Sequence, residues 1–105
     1  MVRPRQFDIC RVTGQQSGSS VDLAVVLQHD ISSTLATRIV APLIPADESL
    51  RAGHATPEIV FEGSTYIVAI HLLGAVPVRN LEIMANIEQH EALLKKALDF
   101  MFLGV

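Results

Sequence analysis

The residues able to do chemistry in this chain are four histidines, one cysteine and a handful of arginines with acids between them. His29 followed directly by Asp30 pairs an imidazole with an orienting carboxylate, the arrangement used in general acid/base catalysis. Adjacent residues of these types in a polar turn also satisfy local backbone groups, and no nucleophile stands at motif spacing from them, so catalysis is not assigned there. His29, His54, His71 and His90 are too dispersed to form a ligand set, and no metal is expected. His71, inside the apolar run from Ile67 to Val78, reads as a hydrogen-bonded core histidine. Cys10 reads as a small buried hydrophobe rather than a nucleophile. Being the one cysteine, it closes no intramolecular disulfide, which fits a reducing compartment. A phosphate-binding glycine loop, Cys/His zinc spacing and a serine nucleophile elbow are all missing from the sequence. The usual enzyme signatures therefore fail, and no cofactor is expected. What stands out is an apolar tail, Phe102, Leu103, Gly104 and Val105, that needs a reason.

The elements that must position these residues are of two kinds. Gln6 to Val12 alternates apolar and polar residues like a half-buried strand. A Gly/Gln/Ser loop from Thr13 to Ser20 leads to a second apolar run, Val21 to Leu27. Arg38 to Ile44 is β-branched, and Pro42 and Pro45 predict a strand that is kinked or at an edge. Pro45 to Pro57 reads as a surface loop. Glu58 to Phe61 and Thr65 to Ile70 flank Glu62 and Gly63 as a hairpin with a tight turn. From Ile83 the apolar residues Ile87, Leu94, Ala97, Leu98 and Met101 fall on one helical stripe, with Asn86 and Gln89, or Asn80, as capping residues. Glu91 stands four residues before Lys95, the favoured order for a helical ion pair, and Gly104 ends the helix. Strands and hairpins followed by one helix predict an α+β domain, a small antiparallel sheet or barrel with the helix packed on it.

Composition bounds the rest. A chain of 105 residues is the size of one domain, here 1–105. With 50% hydrophobic and 18% charged residues it carries more apolar surface than a small monomer hides easily, so homo-oligomerisation is expected. No apolar stretch reaches the roughly 18 residues of a membrane span, and no apolar segment follows Arg3 and Arg5 before Asp8 as a secretory signal would require. A cytoplasmic address and no membrane partner are expected. Eleven acids against eight scattered bases give a net charge of −3, which argues against direct binding to nucleic acid.

The order of several short segments resembles the CcdB family of toxins from toxin–antitoxin modules. Gln28, His29, Asp30 and Ile31 resemble the family's Gln-Ser-Asp-Ile segment. Arg38 to Leu43 resembles its Arg-x-Val-x-Pro-Leu strand, and Ala75 to Val78 its x-Val-Pro-Val element. Ala97 to Val105 is similar to Ala-Ile-Asn-Leu-Met-Phe-Trp-Gly-Ile, and the resemblance spans Gln6 to Val105. It implies an SH3-like β-barrel core with a long C-terminal helix, of the CcdB/MazF type, assembled as a homodimer. It further implies a toxin that enters the cavity of the DNA gyrase A subunits and traps the enzyme on cleaved DNA, breaking no bond itself. A cognate antitoxin, a disordered peptide wrapping the toxin, would extract it. The polar loops Gly14 to Ser20 and Ala46 to Gly53 are candidates for that contact. Toxin and antitoxin together would repress their operon, so operator DNA would be met only through the antitoxin complex.

Carried over by position, the gyrase-contacting tail falls on Leu103, Gly104 and Val105, with Ile31, Asp99 and Phe102 as neighbouring contacts. Exposed apolar residues on a rigid helix end make a compact anchor; the alternative is that Phe102 and Val105 fold back onto the dimer core. Three positions depart from the family pattern: Leu103 stands where the tail has Trp, Asp99 where it has Asn, and Ser32 where a second Ile follows Ile31. Leucine forfeits the cation–π interaction of that aromatic with a gyrase arginine, about 0.5–2 kcal/mol. Two alternatives accompany the gyrase reading. One is a MazF/Kid-like endoribonuclease using Arg11, Arg38 and Arg79, against which stand the net acidity and the lack of a base. The other is a non-toxic CcdB homologue that keeps only the dimer and antitoxin binding.

Overall fold

The structure, a computed structural model, describes residues 3–13, 23–29, 36–46 and 56–104. Among the described residues there are seven antiparallel strands and one α-helix: β1 (Asp8–Val12), β2 (Leu23–Val26), β3 (Thr37–Pro45), β4 (Glu58–Phe61), β5 (Ser64–Val68), β6 (Gly74–Pro77), β7 (Leu81–Asn86) and α1 (Glu91–Leu103). The strand order β4-β5-β3-β2-β1-β7, with β6 also on β3, leaves the sheet an open, curled half-barrel. This is the α+β architecture expected from the sequence.

Burial on both faces of the sheet explains the strand sequences. Ile9 and Cys10 are adjacent and both fully buried. Ile9 belongs to the main core with Val25, Leu43, Ile70 and Leu94, and Cys10 to a smaller cluster with Ala24, Val26 and Val40 on the other face. The first strand starts at Asp8 rather than Gln6, because Phe7 takes a left-handed φ of 68°. That conformation costs a non-glycine residue about 1–3 kcal/mol. It is held by burial of the ring and by two bonds: Phe7 N–H donates to Val26 O (2.7 Å), and Phe7 O accepts from Ile87 N–H (2.9 Å).

β3 is interior, not at an edge. One side pairs with β2, while the other pairs with β6 through Thr37–Val40 and with β5 through Leu43–Pro45. Pro42 falls where β3 changes partner, so its missing N–H interrupts neither ladder, and its carbonyl accepts the Ala69 N–H at 2.9 Å. The β4–β5 hairpin closes on Glu62 (φ 51°) and Gly63 (φ 80°), both positive as a type I′ turn requires.

The stripe that begins at Ile83 is not continuous helix. Leu81–Asn86 is β7, paired with β1 through Cys10↔Ile83 and Val12↔Leu81. A 3₁₀ turn over Glu88–His90 then leads into α1. Spacings of four satisfy both structures over so short a window, and the long-range pairing with β1 decides. The capping expectations fail with it. Asn80 lies in a 3₁₀ turn, Asn86 divides its side chain between Asp8 and the Glu88 N–H of the 3₁₀ turn before α1 instead of forming a box with Gln89, and His90 begins α1 with no side-chain cap. His71 is exposed in a 3₁₀ turn, not buried in the core.

Candidate functional site

α1 is positioned by one stripe and presents another. Leu94 and Ala97 are buried in the main core, with Leu98 and Met101 packed against it. The Glu91–Lys95 ion pair forms at 2.9 Å on the solvent side. The helix ends as the sequence implies: Gly104 has φ 76°, and its N–H donates to Phe100 O at 3.1 Å, a left-handed cap that residues with a Cβ resist. Just before this stop, Phe102 is 66% and Leu103 70% exposed, and Asp99 is also exposed. Phe102 is therefore not folded into its own subunit's core, and Val105 lies outside the described residues.

At the foot of this tip lies an open cavity of about 330 Å³ lined by Leu27, Gln28, Ile39, Leu73, Leu98 and Phe102. Its rim is held by Gln28, whose Oε1 accepts the Ile39 N–H at 3.0 Å and so ties the end of β2 to β3. Leu27, Ile39 and Leu73 come from three separated segments, and sequence reasoning did not single them out. The signal available was indirect: Gln28 and Ile39 both belong to the short matched segments. Of the six tail and contact positions, the structure brings Asp99, Phe102, Leu103 and Gly104 together on the last turns of α1. Ile31 and Val105 lie outside the described residues, as do Asp30, Ser32 and the loops 14–20 and 47–53.

The other candidates are occupied elsewhere. Cys10 is fully buried; burial, with the Asp8 carboxylate adding to it, pushes its thiol from the ordinary 9.0 up to about 12, so it carries no thiolate at neutral pH. Arg38 is buried, with Nε donating to Pro4 O (3.1 Å) and Nη1 to Thr37 O (2.9 Å), which commits its guanidinium to backbone carbonyls rather than to a substrate. Arg11 pairs with Glu82 at 4.0 Å on the β1–β7 surface. Among the described residues no group of three or more His, Cys, Asp and Glu side chains is placed to hold a metal ion, and no helix is long and apolar enough to cross a membrane.

The arrangement offers an apolar wedge at the end of a rigid helix, beside a cavity that continues the apolar surface. One family model, described as CcdB protein, matches residues 6–104, and no curated protein matches the chain.

Proposed function

The chain belongs to the CcdB family, toxins of type II toxin–antitoxin systems that poison DNA gyrase and are not enzymes, and from that premise we propose that it docks on the gyrase A subunit through the tip of α1. The observation that carries this reading is the exposure of Phe102 and Leu103 on a helix whose opposite stripe is locked into the core. Apolar side chains held in one geometry lose little entropy on binding, and a few such anchors dominate interfaces. Asp99 and Gly104 flank the anchor, and Ile31 and Val105 are assigned to the same surface by position.

A homodimer supplies the scaffold. The half-buried Ile39, Leu73 and Leu98 around the open cavity, with exposed Leu72 nearby in sequence, are the apolar area that a second copy covers. The protein acts in the cytoplasm, where gyrase is found. A cognate antitoxin neutralises it, and the pair represses its operon with DNA held by the antitoxin, in keeping with the toxin's net charge of −3.

The test is the purified chain added to the gyrase of its host with supercoiled plasmid. Accumulation of cleaved plasmid supports the proposal. Untouched supercoiling and cleavage at micromolar dimer overturn it, and tight antitoxin binding under those conditions identifies the non-toxic homologue instead.

A further inference from the structure

Among the described residues two charged side chains are buried, Asp8 on β1 and Arg38 on β3. A buried charge is costly unless its polar atoms are matched. One peptide group serves both. The Pro4 carbonyl accepts Arg38 Nε–H at 3.1 Å, and across the same peptide bond the Arg5 N–H donates to Asp8 Oδ2 at 2.8 Å. A cation at the carbonyl and an anion at the N–H polarise the peptide in one sense, so each bond strengthens the other. The line runs on toward the helix. Asp8 Oδ1 accepts Asn86 Nδ2–H at 2.9 Å, and Asn86 Oδ1 accepts the Glu88 N–H at 2.9 Å in the turn before α1. Packing alone does not join these parts, because an open cavity of about 540 Å³ is lined by Arg5, Gln6 and Phe7 together with Glu88, Gln89 and Glu91. Pro4 is itself fully buried, and both Pro4 and Arg5 lie ahead of residues 6–104, which match the family.

We propose that Asp8 and Arg38 are positioning residues that act through the Pro4–Arg5 peptide, setting α1 against β3 and so fixing the apolar cavity between Ile39 and Leu98. Ile39 follows Arg38 on β3, and Leu98 stands on α1. Releasing either end of the line therefore frees one wall of that cavity to move against the other. The cavity belongs to the surface assigned above to a second copy, so the effect on assembly rests on the homodimer reading. The relay between the two buried charges stands apart from it.

The experiment is native-state hydrogen exchange, urea unfolding and sedimentation of the full chain as wild type, D8N, R38M and the double variant. D8N keeps the shape of Asp8 and sets an amide donor against one of the two N–H groups it accepts, while R38M keeps the length of Arg38 without its donors. The Val68 N–H, bonded to Pro57 O at 2.8 Å, reports global opening. D8N should speed exchange at the Ile39 N–H, and R38M at the Glu88 N–H, by about tenfold beyond any change at Val68. The unfolding constant of the double variant should fall short of the product of the single changes by about threefold or more, because both break one line. D8N should also weaken the dimer by about 3–10-fold. Variants that each loosen only their own end, rates that move only in step with Val68, or strict additivity overturn the relay. Should R38M not fold, exchange at Ile39 in D8N decides. A D8N dimer as tight as the wild type's overturns control of the cavity. A wild type that sediments as a monomer overturns the homodimer reading, and exchange then judges the relay alone.

Discussion

At its N-terminal end α1 is fastened by side chains and turns; at its C-terminal end it stops at a glycine with exposed apolar residues in place. Asn86 Nδ2 donates to Asp8 Oδ1 (2.9 Å) and to Gln6 O (3.2 Å), and Asn86 Oδ1 accepts the Glu88 N–H (2.9 Å). Asp8, itself buried, takes the Arg5 N–H on its other oxygen at 2.8 Å. A largely polar cavity of about 540 Å³, lined by Arg5, Gln6, Phe7, Glu88, Gln89 and Glu91, marks this end. The far end has the Gly104 cap and the bare side chains of Phe102 and Leu103. Fastening at one end and burial of Leu94 and Ala97 midway hold the helix rigid, so the free end presents its tip without help from its own contacts. The difference teaches that the residues that hold this helix in the fold are separate from the apolar residues it exposes.

Mutations at the two ends and between them can break that division. Leu94→Ala, in the fully buried middle, should cost about 2–5 kcal/mol, read as a lower urea midpoint. A charge at Met101 or Leu98 should give unfolded or monomeric protein by sedimentation, since both pack on the main core. Asn86→Ala leaves Asp8 Oδ1 without its donor and should cost about 1–3 kcal/mol by the same urea measurement.

Cys10 reports on the fastened end, because the Asp8 carboxylate helps to raise its pKa. The folded state favours the neutral thiol, so this contribution to stability is fully present below pH 9.0 and is lost as pH rises toward about 12. Urea midpoints between pH 8 and 11 should fall more steeply for the wild type than for Cys10→Ala. The Glu91–Lys95 pair is exposed, and Glu91→Gln should change stability by only about 0.2–0.5 kcal/mol, shrinking with added salt.

Local chemistry made part of this fold legible from sequence. Glu62-Gly63 between two short apolar runs named its hairpin, Gly104 its helix stop, and Leu94, Ala97, Leu98 and Met101 the buried stripe. Decisions made by distant partners were not legible. Ile83 and Ile87 keep helical spacing, yet pairing with β1 makes the first a strand residue, and the strand's end carries Ile87 into the core. The prolines of β3 argued for an edge, and only the switch from β6 to β5 shows why Pro42 is tolerated inside the sheet. His71 lies in an apolar run but in a 3₁₀ turn that points it outward. The tip itself was readable as an apolar tail with a glycine near its end. The cavity beneath it was not, because Leu27, Ile39 and Leu73 meet only in the folded chain.

Gyrase cleavage measured with the wild type and with Leu103→Asp, two proteins matched in melting temperature, tests the docking tip most directly. Leu103 is 70% exposed, so the substitution should cost no more than about 1 kcal/mol, the effect of a carboxylate at a helix C-terminus. The wild type should accumulate cleaved plasmid and the variant should not. Equal cleavage by the two would contradict docking through the end of α1.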